Sequence, residues 1–122
     1  MAQVILIVDD DQATLAGLVA LVEGAGHSVV SARDFAEGRR LLLQLPVDLM
    51  IVDVRLGAYN GLQLIVLSKS LASPPAAIVT SGFEDPVLEQ DARQLHAPFL
   101  LKPIDPSHLL TLIHQRLAER QA

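Results

Sequence analysis

Carboxylates gather at two points of this chain where surface charge alone is a poor explanation. Asp9, Asp10 and Asp11 follow directly on the apolar run Val4-Ile5-Leu6-Ile7-Val8, and Asp53 closes the run Leu49-Met50-Ile51-Val52. A carboxylate at the end of a buried run loses solvation unless an ion or a partner compensates it. If the two points meet, at least three like charges converge and need a cation. Oxygen donors with no His or Cys beside them select a hard ion, Mg²⁺ or Mn²⁺, that keeps several of its waters. The competing reading is that the three consecutive acids cap the helix that follows, a common use of acids after a strand. An acid run is a weak motif by itself, and it is Asp53 that tips the balance toward an ion site.

Two further residues belong with these acids. Thr80 ends Ala76-Ala77-Ile78-Val79, and Lys102 directly follows Pro98-Phe99-Leu100-Leu101; the only other lysine is Lys69. Singly, Thr80 reads as a β-branched strand residue and Lys102 as a charge at a strand exit. Jointly, an acidic ion site, a carboxylate, a hydroxyl and one ammonium are the parts needed to move a phosphoryl group onto Asp53. The ion and Lys102 neutralise the phosphoryl oxygens, and Thr80 donates a hydrogen bond.

Such a site requires all four strand ends on one rim, and the hydrophobic pattern supplies that. Short apolar runs alternate with longer segments of helical period, the pattern of a parallel sheet covered by helices on both faces. Strands are predicted at Val4–Val8, Ser28–Ala32, Val47–Val52, Ala76–Thr80 and Pro98–Leu101. A first helix carries Leu15, Leu18, Val19 and Val22 on one face and is closed by Gly24 and Gly26. Asp34 with Glu37 opens the second, which Pro46 stops after Leu45. The third is expected over Leu62–Leu71, after a loop with Gly57, Asn60 and Gly61. Asp85-Pro86 and Asp105-Pro106 open the fourth and fifth, the fourth with a stripe of Leu88, Ala92 and Leu95. Five βα units favour a doubly wound, flavodoxin-like α/β sheet of order 2-1-3-4-5, which binds its ligands beyond the carboxyl ends of strands one and three.

Composition narrows the function. The 122 residues make one domain over 1–122, and 51% hydrophobic against 19% charged residues rule out disorder. Four aromatic residues, a net charge of −5 and a pI near 5.1 argue against direct nucleic-acid binding. With no cysteine there is no disulfide framework, thiolate site or Cys nucleophile. Mean hydropathy is +0.40, yet no apolar run approaches the ~18 residues of a membrane span. Met1-Ala2-Gln3 has no basic stretch of the signal-peptide kind. A cytoplasmic location away from membranes is expected.

These motifs resemble the receiver domains of response regulators in two-component signalling, across essentially the whole chain. Ile5-Leu6-Ile7-Val8-Asp9-Asp10-Asp11 is similar to the family's acidic-pocket strand, and Ile51-Val52-Asp53-Val54-Arg55-Leu56 to its acceptor strand. Ile78-Val79-Thr80-Ser81-Gly82 is similar to its hydroxyl strand, and Phe99-Leu100-Leu101-Lys102-Pro103 completes the set. The resemblance implies that Asp53 takes a phosphoryl group from a sensor histidine kinase or histidine phosphotransfer protein. It further implies Asp10 as direct Mg²⁺ ligand, Asp9 as ligand through water, the Arg55 carbonyl as a further ligand, Lys102 as phosphate partner, and a cis Lys102–Pro103 bond. Thr80 and Phe99 would form the switch, with helix four, strand five and helix five as a dimer or partner surface. Such a domain is no dedicated enzyme; it loses its phosphoryl group slowly.

The chain departs from the family pattern in three places. Gly57 stands where a proline is common, which predicts a more mobile loop. Phe99 replaces the frequent tyrosine, so its inward and outward states should lie close in energy. His96-Ala97 ends helix four where Gly-Ala is usual, and histidine tolerates the left-handed region better than most residues. His27, His108 and His114 have no partner at ligand spacing and read as surface or cap residues. A degenerate receiver that binds partners without phosphorylation is the alternative suggested by Gly57 and Phe99. A small aspartyl-phosphate phosphohydrolase is disfavoured, because Arg55 stands where it needs a second acid. A flavodoxin-like carrier is disfavoured because Asp9-Asp10-Asp11-Gln12 replaces its phosphate loop.

Overall fold

Successive residues of the central strands point into two different cores, which is why their sequences are apolar throughout. In the computed structural model, which describes residues 3–121, the main sheet consists of β1 (Val4–Val8), β2 (Ser28–Ala32), β3 (Leu49–Asp53), β4 (Ala76–Ser81) and β5 (Phe99–Leu101). All neighbours pair in parallel, in the order 2-1-3-4-5. Ile5, Ile7, Leu49, Ile51 and Ile78 pack on one face against α1 (Gln12–Gly24) and α5 (Pro106–Gln121). Leu6, Val8, Met50, Val52 and Val79 pack on the other against α2 (Phe35–Gln44), α3 (Leu62–Ser68) and α4 (Pro86–Gln94). This is the doubly wound sheet that the alternation of apolar runs predicts.

The helices start where their caps are. The carboxylates of Asp11, Asp34 and Asp85 accept backbone hydrogen bonds from Thr14, Glu37, and Val87 with Leu88 respectively, and Asp105 accepts one from Ser107. His96 ends α4 with φ 60°, in the left-handed region.

Element bounds shift at five places. β3 begins at Leu49, because the Asp48 N–H bonds to Val4 O and its carboxylate accepts from the Val4 N–H. β3 also extends through Asp53, and β4 through Ser81, while β5 begins at Phe99. α3 stops at Ser68 rather than Leu71: the Ser68 and Ser70 hydroxyls donate to the carbonyls of Ile65 and Leu67, and the N–H groups of residues 69–71 reach back only three residues.

The loop after Asp53 is the larger correction. It is a short antiparallel ribbon, Arg55–Leu56 against Tyr59–Asn60, and the Tyr59 ring stacks on Phe35 with centroids 4.6 Å apart. Gly57 turns this ribbon with φ +63°. Proline is locked near −65° and cannot sit there. The loop therefore has a shape that the common proline could not adopt, and the Tyr59–Phe35 stack ties it to α2.

Candidate functional site

The carboxyl ends of β1, β3, β4 and β5 lie side by side, so the sheet itself assembles the site. Asp9 follows β1 and is 1% exposed; Asp53 ends β3 and is 6% exposed. With exposed Asp10 they form a cluster in which one oxygen from each lies within 4.8 Å of the others. Asp11 turns away to cap α1, and hydrogen bonds from Thr14 hold its carboxyl below the usual carboxylate range. The two readings of the acid run thus divide the work: Asp9 and Asp10 face the site, while Asp11 caps.

Lys102 reaches this cluster from the end of β5. Its Nζ stands 2.9 Å from Asp9 Oδ2 and 3.4 Å from Asp53 Oδ2. Its backbone N–H is anchored on Ser81 O, and the Lys102–Pro103 bond is cis. Burial pulls the Lys102 ammonium down, but Asp9 and Asp53 outweigh it and the net shift is upward. The Asp53 carboxyl moves up, first because it is buried and then because Asp9 is beside it, against the opposing pull of Lys102.

Thr80 pairs in register with Asp53, and its buried hydroxyl finds no hydrogen-bond partner. Asp9 Oδ2 is also without a well-aimed hydrogen bond, although ion-paired with Lys102. One ammonium among three carboxylates leaves negative charge uncompensated, and every free donor is a hard oxygen. That donor set fits Mg²⁺ or Mn²⁺.

Arg55 begins the ribbon opposite Asn60, and its guanidinium lies over the Phe83 ring at 4.8 Å. Phe99 is half-buried, beside Val79, and packs against the core beneath α4. One essential neighbour escapes a reading of side chains alone. A Cβ on Gly61 would meet Asp53 O at 2.0 Å and Val52 Cγ1 at 2.6 Å, so only glycine fits where α3 folds back over the acceptor strand. The Asn60-Gly61 pair is the signal for it. The aromatic neighbours Phe83 and Tyr59 carry no such signal. His27 and His114, expected to be unpartnered, have ring centroids 5.7 Å apart.

The response regulator receiver domain family matches residues 5–114. The chain belongs to that family. This receiver domain is 31% identical over 117 residues to protein PilH of Pseudomonas aeruginosa, covering 93% of the chain and 97% of PilH. It is 34% identical over 116 residues to the transcriptional regulatory protein GlrR of Escherichia coli, covering 94% of the chain but spanning only 26% of GlrR. Its fold superposes with a TM-score of 0.92 on a CheY-like response regulator receiver domain protein from Methanospirillum hungatei, at 26% identity over 99% of this chain and 98% of that one. Receiver domains are signalling modules of two-component response regulators rather than dedicated enzymes.

Proposed function

We propose that Asp53 accepts a phosphoryl group from a phosphohistidine on a sensor histidine kinase or histidine phosphotransfer protein. The observation that carries this reading is the single ammonium of Lys102 bridging Asp9 and Asp53 beside the uncommitted Thr80 hydroxyl. An Asp53 carboxylate oxygen attacks phosphorus, the phosphorus–nitrogen bond breaks, and the departing imidazole nitrogen keeps the electron pair and takes a proton. An acyl phosphate remains on Asp53. Lys102 leaves its bridge to pair with a phosphoryl oxygen, and Thr80 donates a hydrogen bond to another. Asp9, Asp10, Asp53 and the Arg55 carbonyl would hold the divalent ion, which when bound neutralises charge on the phosphoryl oxygens. In this reading Asp53 only holds the phosphoryl group and loses it slowly compared with enzyme turnover.

Drawing the Thr80 hydroxyl inward opens space beside β5 that the Phe99 ring fills. The signal then leaves through α4, β5 and α5, where a homodimer or another protein docks. The same reading takes residues 1–122 as one receiver domain acting in the cytoplasm, without binding membrane or nucleic acid. The phosphorylation-independent alternative rests on Gly57 and Phe99, and neither displaces a group of the site.

Incubation with a small-molecule phosphodonor tests the reading. Intact mass should give one phosphoryl adduct that depends on Mg²⁺ and is weaker in Asp10→Asn; an adduct equally abundant in chelator counts against it.

A further inference from the structure

Three buried side-chain atoms among the described residues have no hydrogen-bond partner in the protein: Asp9 Oδ2, Thr80 Oγ1 and His27 Nε2. The first two belong to the site above. His27 lies at the other end of the sheet, in the turn between α1 and β2, just before Ser28. A buried polar atom left unpaired costs about 1–3 kcal/mol. Such an atom calls for an explanation, and a bound ion is one that chemistry can check.

The neighbour of His27 supplies that chemistry. His114 projects from α5, and the two rings lie 5.7 Å apart, centre to centre, and inclined by 54°. With metal–nitrogen bonds of about 2.0–2.1 Å, each ring centre stands about 3 Å from a shared ion, and a tetrahedral angle separates two ligating rings by about 5–5.5 Å. The observed pair is within a few tenths of an ångström of that spacing. We propose that His27 and His114 together bind one transition-metal ion of the imidazole-preferring class, represented by Zn²⁺, with water completing its coordination. His114 is exposed and gives the ion its way in. Burial, and then the nearness of His114, hold the His27 imidazole below the ordinary histidine range, which keeps it in the neutral form that ligates. The bound ion would cross-link α5 to the α1–β2 turn. Its nitrogen donors differ in kind from the carboxylates at the opposite end, so the two sites sort their ions by hardness.

The test is Zn²⁺ added to the full chain under saturating Mg²⁺, followed through the histidine ring resonances in NMR spectra. His96 and His108, both exposed, serve as internal controls. The rings of His27 and His114 should shift together and saturate at one ion per chain. His27→Gln and His114→Gln should each weaken binding by at least about tenfold, equivalent to 1.4 kcal/mol. The exposed position of His114 makes its variant the one that keeps the fold intact. Equal shifts at His96 and His108, no shift at His27, or unchanged Zn²⁺ affinity in His114→Gln would overturn the proposal.

Discussion

Asp53 occupies surroundings that oppose its own charge. Its carboxyl is raised by burial and by Asp9. For an acid with a raised folded-state pKa, the stabilising contribution is complete below the unfolded value near 3.9 and is lost as pH climbs through the folded value. At pH 7 the metal-free protein therefore carries a penalty that Asp53→Asn should remove. Urea denaturation in chelator should show the variant more stable by on the order of 1 kcal/mol at pH 7, with the difference shrinking toward pH 4. Lys102→Met should do the opposite, destabilising the metal-free protein by about 1–3 kcal/mol, because two buried carboxylates lose the ammonium that bridges them. Saturating Mg²⁺ should recover part of that loss. Equal stability of the lysine variant with and without chelator would mean that the carboxylates are not the ion's ligands.

At the scale of elements, the loop between β3 and α3 is where this chain differs from its family pattern. Gly57→Pro, which would restore the common residue, should destabilise by more than 1 kcal/mol, since φ +63° lies outside what proline can adopt. Gly61→Ala should cost at least about 2–3 kcal/mol and lower phosphoryl uptake with it, because the added carbon collides with the Asp53 carbonyl. Shifts in the urea midpoint check both; a neutral Gly57→Pro would mean that the ribbon rearranges freely. Strands, caps and sheet order were legible in the sequence because each rests on local rules: short apolar runs, most of four or five residues, and Asp followed by helix-forming residues. The acid cluster was legible because parallel βα units place all carboxyl strand ends on one rim. The ribbon, the Phe35–Tyr59 stack and the Arg55–Phe83 contact were not, since they join elements through exposed side chains on which no periodicity acts. The His27–His114 pair was hidden for the same reason: 87 positions separate two residues that meet only once α5 has packed across β3 and β4.

For the whole molecule, the two ends of the sheet respond to acid in opposite directions. His27 has a lowered folded-state pKa, so its contribution to stability is present above the unfolded value near 6.5 and is lost as pH falls below it. In chelator, stability should decline as pH falls below about 6.5 from this source, and His27→Asn should flatten that part of the curve. Asp53 acts the other way, its contribution being lost as pH rises above the unfolded value near 3.9. An acid limb unchanged by the His27 substitution would place its origin elsewhere.

The central claim is that these strand ends deliver a phosphoryl group to one carboxylate out of four. Borohydride reduction of the phosphorylated chain, followed by peptide mass mapping, reads that position directly, because it converts an acyl phosphate to the alcohol at the residue that carried it. Conversion at residue 53 alone, and none in Asp53→Asn, is the result this account predicts. Conversion at Asp9, Asp10 or Asp11, or an adduct that survives in Asp53→Asn, would contradict it.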